Sequence, residues 1–221
     1  MPLTVKIHHN ARTIVGIWTV QETMEKLIAK LDISDEEKIH IDSLSIKKQL
    51  EWCASRRLIK SMLHDDVPHK LSIFKDIHGK PYIENSSAHI SLSHSHDCIA
   101  AIISSDQIVG IDVQLIVDKI VKISPKFLSE PELSYCKNSD DPLLAYHIYW
   151  GAKECIFKSY GRGEVDFKNH ILLNDLGLVT EKGRFGATFK KNGVILHFEL
   201  YYFILPSYVL VYSLQEMDIN N

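Results

Sequence analysis

The stretch Ile108-Val109-Gly110-Ile111-Asp112-Val113-Gln114 (IVGIDVQ) stands at the middle of a 221-residue chain. Successive residues of a strand point to opposite faces. Val109, Ile111, Val113 and Leu115 therefore form an aliphatic face, which burial favours. Ile108, Gly110, Asp112 and Gln114 form the other. Asp112 and Gln114 then point the same way, about 7 Å apart along the strand, with Gly110 leaving space beside them. Two oxygen-bearing side chains so placed suit a hard cation such as Mg²⁺. A strand end with solvated polar groups fits the same seven residues.

The stretch also divides the chain. Upstream, "TVKIHH" and "TIVGIW" read as two opening strands and "QETMEKLIAKL" as a helix. "SDEE" marks a helix start capped by Ser34, and "IKKQLEWCASRRLIKSML" a longer helix. "KLSIF", "PYIE", "HISLS", "CIAAIIS" and "IVGIDVQ" follow as strands. After Asp112 the same order returns. Helices run to about Tyr160, then come strands at "ILLN", "ATFK", "VILHFELYYFIL" and "YVLVYSL", with "QEMDINN" as a terminal tail. Helices then strands, twice over, imply an α+β fold of two lobes, residues 1–110 and 111–221.

Bulk properties narrow the function. Hydrophobic residues make up 45% and charged residues 24%, an ordinary globular balance. A formal net charge of -3 argues against a nucleic-acid binder, so any grip on phosphate is local. A local patch exists from Ser45 to Lys80. Lys47, Lys48, Arg56, Arg57, Lys60, Lys70, Lys75 and Lys80 outnumber Glu51, Asp65, Asp66 and Asp76 there. Four dispersed cysteines form no C-x-x-C pair, which fits a reducing, cytoplasmic setting. No apolar run approaches the roughly 18 residues of a membrane span, and no signal pattern opens the chain.

Two further stretches carry candidate chemistry. In "DPLLAYHIYWGAKECIFKSYGRG", Asp141-Pro142 starts a helix and Gly161 stops it. Leu144, Ile148, Gly151 and Cys155 form its packed stripe. Glu154 lies about a quarter turn away, with Lys158 one turn on. The pair reads either as a surface i,i+4 contact or as a carboxylate at a cleft with a lysine for an anionic substrate. In His89-Ile-Ser-Leu-Ser-His-Ser-His96, His94 and His96 offer an H-x-H metal site, but no matching ligands stand out among "DIHG", "LHFE" or "YHIYW". No G-x-S-x-G elbow supports a nucleophilic serine. Ser93 and His94 can instead bind phosphate.

The order Gly79-Lys80-Pro81, Ser93-His94-Ser95, Gly110-Ile111-Asp112-Val113-Gln114 and Trp150-Gly151-Ala152-Lys153-Glu154-Cys155-Ile156-Phe157-Lys158 resembles the two-lobed, single-chain 4'-phosphopantetheinyl transferases. "RRLIKSML" and "FLSEPEL" extend the likeness, which covers roughly residues 45–165. The resemblance implies two similar lobes packed as a pseudo-dimer with the active site in the cleft between them. It implies Mg²⁺-dependent transfer of the phosphopantetheine arm of coenzyme A to a serine of an apo acyl or peptidyl carrier protein, releasing 3',5'-ADP.

By that resemblance Asp112, Gln114 and Glu154 hold the metal. Lys80, Pro81, Ser93, His94, Arg57, Lys60, Lys153 and Lys158 bind coenzyme A, with His94 on the 3'-phosphate and Ser95 and His96 behind them. Glu154, Glu132 and Lys158 serve catalysis, Glu132 as one candidate for the base. Gln114 departs from the second acid of many relatives and removes one negative charge, so weaker metal affinity is expected. A monomer of two such lobes builds the whole cleft, with no membrane or nucleic-acid partner. The rival readings are a non-catalytic coenzyme A or carrier-protein module, motivated by Gln114, and an H-x-H transition-metal enzyme.

Overall fold

A computed structural model describes residues 5–63 and 72–216. Lys70 of the basic patch, the start of "KLSIF" and most of the terminal tail lie outside the described residues. The fold is α+β, with two antiparallel sheets and, among the described residues, seven α-helices.

The first half begins with β1 (Val5–His8) and β2 (Thr13–Thr19). Helices α1 (Met24–Ile28), α2 (Asp35–Asp42) and α3 (Ile46–Met62) follow. Ser34 caps α2 in a reciprocal capping box with Glu37, as "SDEE" suggests. Helix α1 is shorter than expected because the Leu31 amide turns back onto the Ile28 carbonyl, closing the last turn tightly. Then come β3 (Ile73–Lys75), β4 (Pro81–Ile83), β5 (His89–Ser95) and β6 (Cys98–Ser104), giving a six-stranded sheet in the order β1-β2-β6-β5-β4-β3.

The second half opens on β7 (Val109–Leu115). It continues through α4 (Lys119–Ile123), a 3-10 turn (Ser124–Lys126), α5 (Glu130–Asn138), α6 (Pro142–Tyr160) and α7 (Phe167–His170). Strands β8 (Ile171–Leu173), β9 (Lys182–Lys191), β10 (Val194–Ile204) and β11 (Tyr208–Gln215) complete a five-stranded sheet in the order β7-β11-β10-β9-β8.

Alternation along the strands builds the layers. On β6, Ile99, Ala101 and Ile103 pack with Leu58, Ile59 and Met62 of α3. Cys98, Ala100 and Ile102 face the other way, into a core shared with Val109, Ile111 and Val113 of β7. The α6 residues Ile148, Ala152, Cys155 and Ile156 seal the far face of the second sheet. The order across the molecule is helices, sheet, sheet, helices, with apolar packing in each gap.

The aliphatic face of β7 is buried as its pattern requires. The opposite face is not solvated: Asp112 is only 7% exposed, because α6 covers it. Gly110 permits this. A Cβ there would lie 2.0 Å from the Cys155 carbonyl oxygen, so any side chain would push α6 off the strand.

Between the sheets runs a second device. The amides of Ile111, Val113 and Leu115 donate to the hydroxyls of Ser91, Ser93 and Ser95 at 3.2, 3.2 and 3.0 Å. The edge of β7 turned away from β11 thus finds its acceptors in the side chains of β5. Every second residue of "SLSHS" is a serine because this edge requires a short hydroxyl at each two-residue step.

Candidate active site

Two elements bring the candidate groups together. Strand β7 supplies Asp112 and Gln114, and α6 supplies Glu154 and Lys158. Asp141 caps the start of α6, its carboxylate accepting from the Leu144 amide at 3.1 Å. Gly161 ends it in the left-handed region at φ 64°. Lys80 reaches across from the start of β4 to that end, and its Nζ donates to the Ser159 carbonyl at 2.7 Å. A Cβ on Gly161 would meet Lys80 Cδ at 2.7 Å.

Asp112 is held by three donors. Ser93 Oγ and Lys158 Nζ donate to Oδ1 at 2.9 and 2.8 Å. Gln114 Nε2 reaches Oδ2 at 3.4 Å. Lys158 also donates to the Ile111 carbonyl at 2.9 Å, leaving one N–H for another acceptor. Burial disfavours its charge, but Asp112 and the neighbouring anionic groups outweigh that and raise its pKa above the ordinary lysine value.

Glu154 stands one turn before Lys158. Its pKa is raised, first by burial and then by the charge of Asp112, with Lys158 partly opposing. Two carboxylates against one lysine leave a surplus negative charge in a site with little access to water. That surplus and those hard oxygen donors suit Mg²⁺. Asp112 and Glu154 carry oxygen donors of the kind such a cation takes.

Gln114 does not present an oxygen. Its Oε1 lies 2.8 Å from His147 Nδ1, and its Nε2 donates to the His147 carbonyl at 2.9 Å. Gln114 was expected on the metal directly or through water; in this structure its oxygen faces the His147 ring. Among the described residues, no group of three or more His, Cys, Asp or Glu side chains converges as a metal site. His94 and His96 find no such company.

Other expected residues fall in different places. Lys153 is 0% exposed, and its ammonium donates to Glu132 Oε2 at 2.8 Å, the Phe167 carbonyl at 2.7 Å and the Ile171 carbonyl at 2.9 Å. All three of its donors are used. Glu132 accepts in turn from the amides of Ser129 at 2.8 Å and Leu173 at 3.1 Å. This pair ties α5, α6, α7 and β8 together. Lys153, expected on coenzyme A, and Glu132, expected as one candidate for the base, meet each other here instead.

Arg57 is likewise buried, donating to the Lys26 carbonyl at 3.2 Å and lying over the Trp18 ring. That geometry places it in the packing of α1 against α3 and corrects its assignment to coenzyme A. Lys60 lies beside Arg56, Trp52, Asp32 and Glu37 at a shallow pocket. Pro81 opens β4 opposite Lys75. Ser93 and His94 point to opposite faces of β5: Ser93 reaches Asp112, while His94 Nε2 meets Glu51 at 3.1 Å. The structure does not bring that serine and histidine together.

His147 was not anticipated. It is 1% exposed, and burial lowers its pKa, opposed by a hydrogen bond with the Val117 backbone. Its signal was present: His147, Gly151, Glu154 and Lys158 recur at i, i+4, i+7 and i+11, one line along a helix.

Residues 108–208 match the family model described as the 4'-phosphopantetheinyl transferase superfamily. No curated protein matches the chain. The matched span starts at β7 and contains Asp112, Glu154 and Lys158, whereas Lys80, Ser93 and His94 precede it. Relatives in this family use coenzyme A to modify carrier proteins, and typically a divalent metal. The strand and the helix that carry Asp112 and Glu154 both lie inside the match.

Proposed function

We propose that the protein transfers the phosphopantetheine arm of coenzyme A to a serine hydroxyl of an apo acyl or peptidyl carrier protein, with Mg²⁺, releasing 3',5'-ADP. The observation that carries this reading is the Asp112–Glu154–Lys158 grouping, two carboxylates and one lysine under α6. The serine oxygen bonds to the β-phosphorus of coenzyme A as the bond to the ADP oxygen breaks, in line. Asp112 and Glu154 are the residues to hold Mg²⁺, which supplies Lewis-acid neutralisation of the diphosphate when bound.

Lys158, fixed by Asp112 and the Ile111 carbonyl, directs its remaining N–H at a diphosphate oxygen. Glu154 takes the serine proton, directly or through water, only where it is not holding the cation, because a metal-bound carboxylate is a poorer base. Lys80 lies within reach of the nucleotide phosphates by exchanging the Ser159 carbonyl for a phosphate oxygen.

The two halves, 1–110 and 111–221, form a pseudo-dimer of lobes in this reading. The cleft between them receives Ser93 and Lys80 from one side and Asp112, Glu154 and Lys158 from the other. A monomer is then sufficient. Four cysteines that are all free and buried support a reducing, cytoplasmic location. Among the described residues, no helix is long and apolar enough to cross a membrane.

Incubation with Mg²⁺, coenzyme A and a panel of apo carrier proteins tests the proposal by mass spectrometry. The expected result is a gain of one phosphopantetheine on at least one carrier, lost in Asp112→Ala. The turned Gln114 favours a second reading, a coenzyme A binding module without turnover. Tight coenzyme A binding with no mass gain at any Mg²⁺ or Mn²⁺ level would select it.

A further inference from the structure

His147 occupies a closed niche between α6 and the chain leaving β7. The Val117 amide donates to its Nε2 at 3.0 Å. The Val117 carbonyl lies 3.2 Å from the same nitrogen, so the contacts of the glutamine amide decide the tautomer: its Nε2 faces the His147 carbonyl and Asp112 Oδ2, which turns Oε1 to His147 Nδ1 at 2.8 Å and puts the ring proton there. The amide of Gln114 is thereby oriented from both ends. Its oxygen is consumed by the ring, and its NH₂ faces the His147 carbonyl at 2.9 Å and Asp112 Oδ2 at 3.4 Å. Turned over, the amide would set its oxygen against these two acceptors. Gly151 gives it room, since a Cβ there would lie 3.0 Å from Gln114 Nε2.

From this geometry we infer that His147 is a positioning residue, which turns Gln114 away from the metal and onto Asp112, so that the cation is held by two protein carboxylates and no glutamine oxygen. This rests on the transferase reading for the identity of the site. In it, Asp112 is oriented by Ser93 at 2.9 Å and Lys158 at 2.8 Å, while Gln114, at 3.4 Å, adds only a long contact. The histidine and the glutamine act as one unit: without the ring N–H, the amide is free to rotate its oxygen toward the cation.

Mn²⁺ binding to the full chain, followed by electron paramagnetic resonance without coenzyme A, separates the possibilities. Gln114→Ala should change the Mn²⁺ Kd by less than about threefold, against the roughly 10–100-fold that loss of a metal-supporting group costs. His147→Asn, whose amide N–H replaces the Nδ1 donor, should bind Mn²⁺ as the parent chain does. His147→Leu, which frees Gln114, should bind it several-fold more tightly. A tenfold or greater loss in Gln114→Ala, or identical behaviour of the Asn and Leu variants, overturns the inference. Gln114→Ala keeps it decidable if the buried histidine variants fail to fold. Absence of any Asp112-dependent Mn²⁺ binding overturns the inference and the metal-dependent transferase reading together. Asp112-dependent binding with the expected pattern, but no carrier modified, supports the inference and sinks only the transferase reading.

Discussion

Helix α6 carries two lysines five residues apart, Lys153 and Lys158, and each places its Nζ 2.8 Å from a carboxylate. Their surroundings differ. Around Lys153 the charges cancel: one ammonium, one carboxylate from Glu132, and backbone groups that take both remaining lysine donors and reach both carboxylate oxygens. Burial lowers the pKa of Lys153, and Glu132 offsets that. Around Lys158 the charges do not cancel. Asp112 and Glu154 share one ammonium, the lysine side chain remains 25% exposed, and Glu154 is pushed toward its acid form. A buried ion pair is scaffold when its charge is closed, and a site when a charge is left over.

The difference can be broken from either side. The largest effect is expected from Asp112→Asn, which removes the surplus charge: carrier modification should fall by about 10³-fold, near 4 kcal/mol in the barrier. Thermal melting should move little. A turnover rate within tenfold of the parent would remove Asp112 from the chemistry. Lys153→Ala should do the reverse. Leaving Glu132 buried and unpaired costs about 3–5 kcal/mol, which at this chain length lowers Tm by roughly 10 °C or more. An unchanged melting curve would show that the pair does not hold the helices.

Glu154→Gln is the sharper test of the surplus. A carboxyl with a raised folded pKa contributes its stability fully below the ordinary carboxylate range and loses it as pH rises through the raised value. At neutral pH the ionised group therefore strains the metal-free fold. Glu154→Gln should raise the metal-free Tm by about 2–4 °C, a gain near 1 kcal/mol, while abolishing transfer. The gain should shrink as the pH is lowered past the carboxylate range. For the same reason Mg²⁺ should stabilise the parent chain more at pH 8 than at pH 5, read by melting at both. The smallest effect is expected from Ser95→Ala, which deprives the Leu115 amide of its acceptor and should cost about 1 kcal/mol by chemical denaturation, with transfer retained.

Much of this contrast was legible before any coordinates. Asp141-Pro142 and Gly161 bounded α6, and Ser34 began α2, because caps and breakers act within a few residues. The spacing of Asp112, Glu154 and Lys158 within recognisable blocks pointed to one site. What the letters could not distinguish was Lys153 from Lys158. Both are lysines beside acids, and only the packing of α5, α7 and β8 decides that one is sealed. Glu132 was misread for the same reason. Ser93 and His94 read as one phosphate grip, although alternation along β5 sends them to opposite faces. His147 lay on the right helical line but was weighed only as a metal ligand, and its part as a donor to Gln114 depends on a backbone amide 30 residues away.

The hydroxyls of Ser91, Ser93 and Ser95 have a consequence for how this fold could vary. Most sheet edges are closed by main chain, which no substitution removes. Here the closure is written in three side chains, so a single oxygen atom can be deleted at each rung while both apolar layers stay whole. Ser93 is the middle rung and also touches Asp112. Mechanical looseness along this zipper and the aim of the Asp112 carboxylate are therefore set by neighbouring atoms of one strand, and evolution can adjust either by exchanging serine for alanine or threonine.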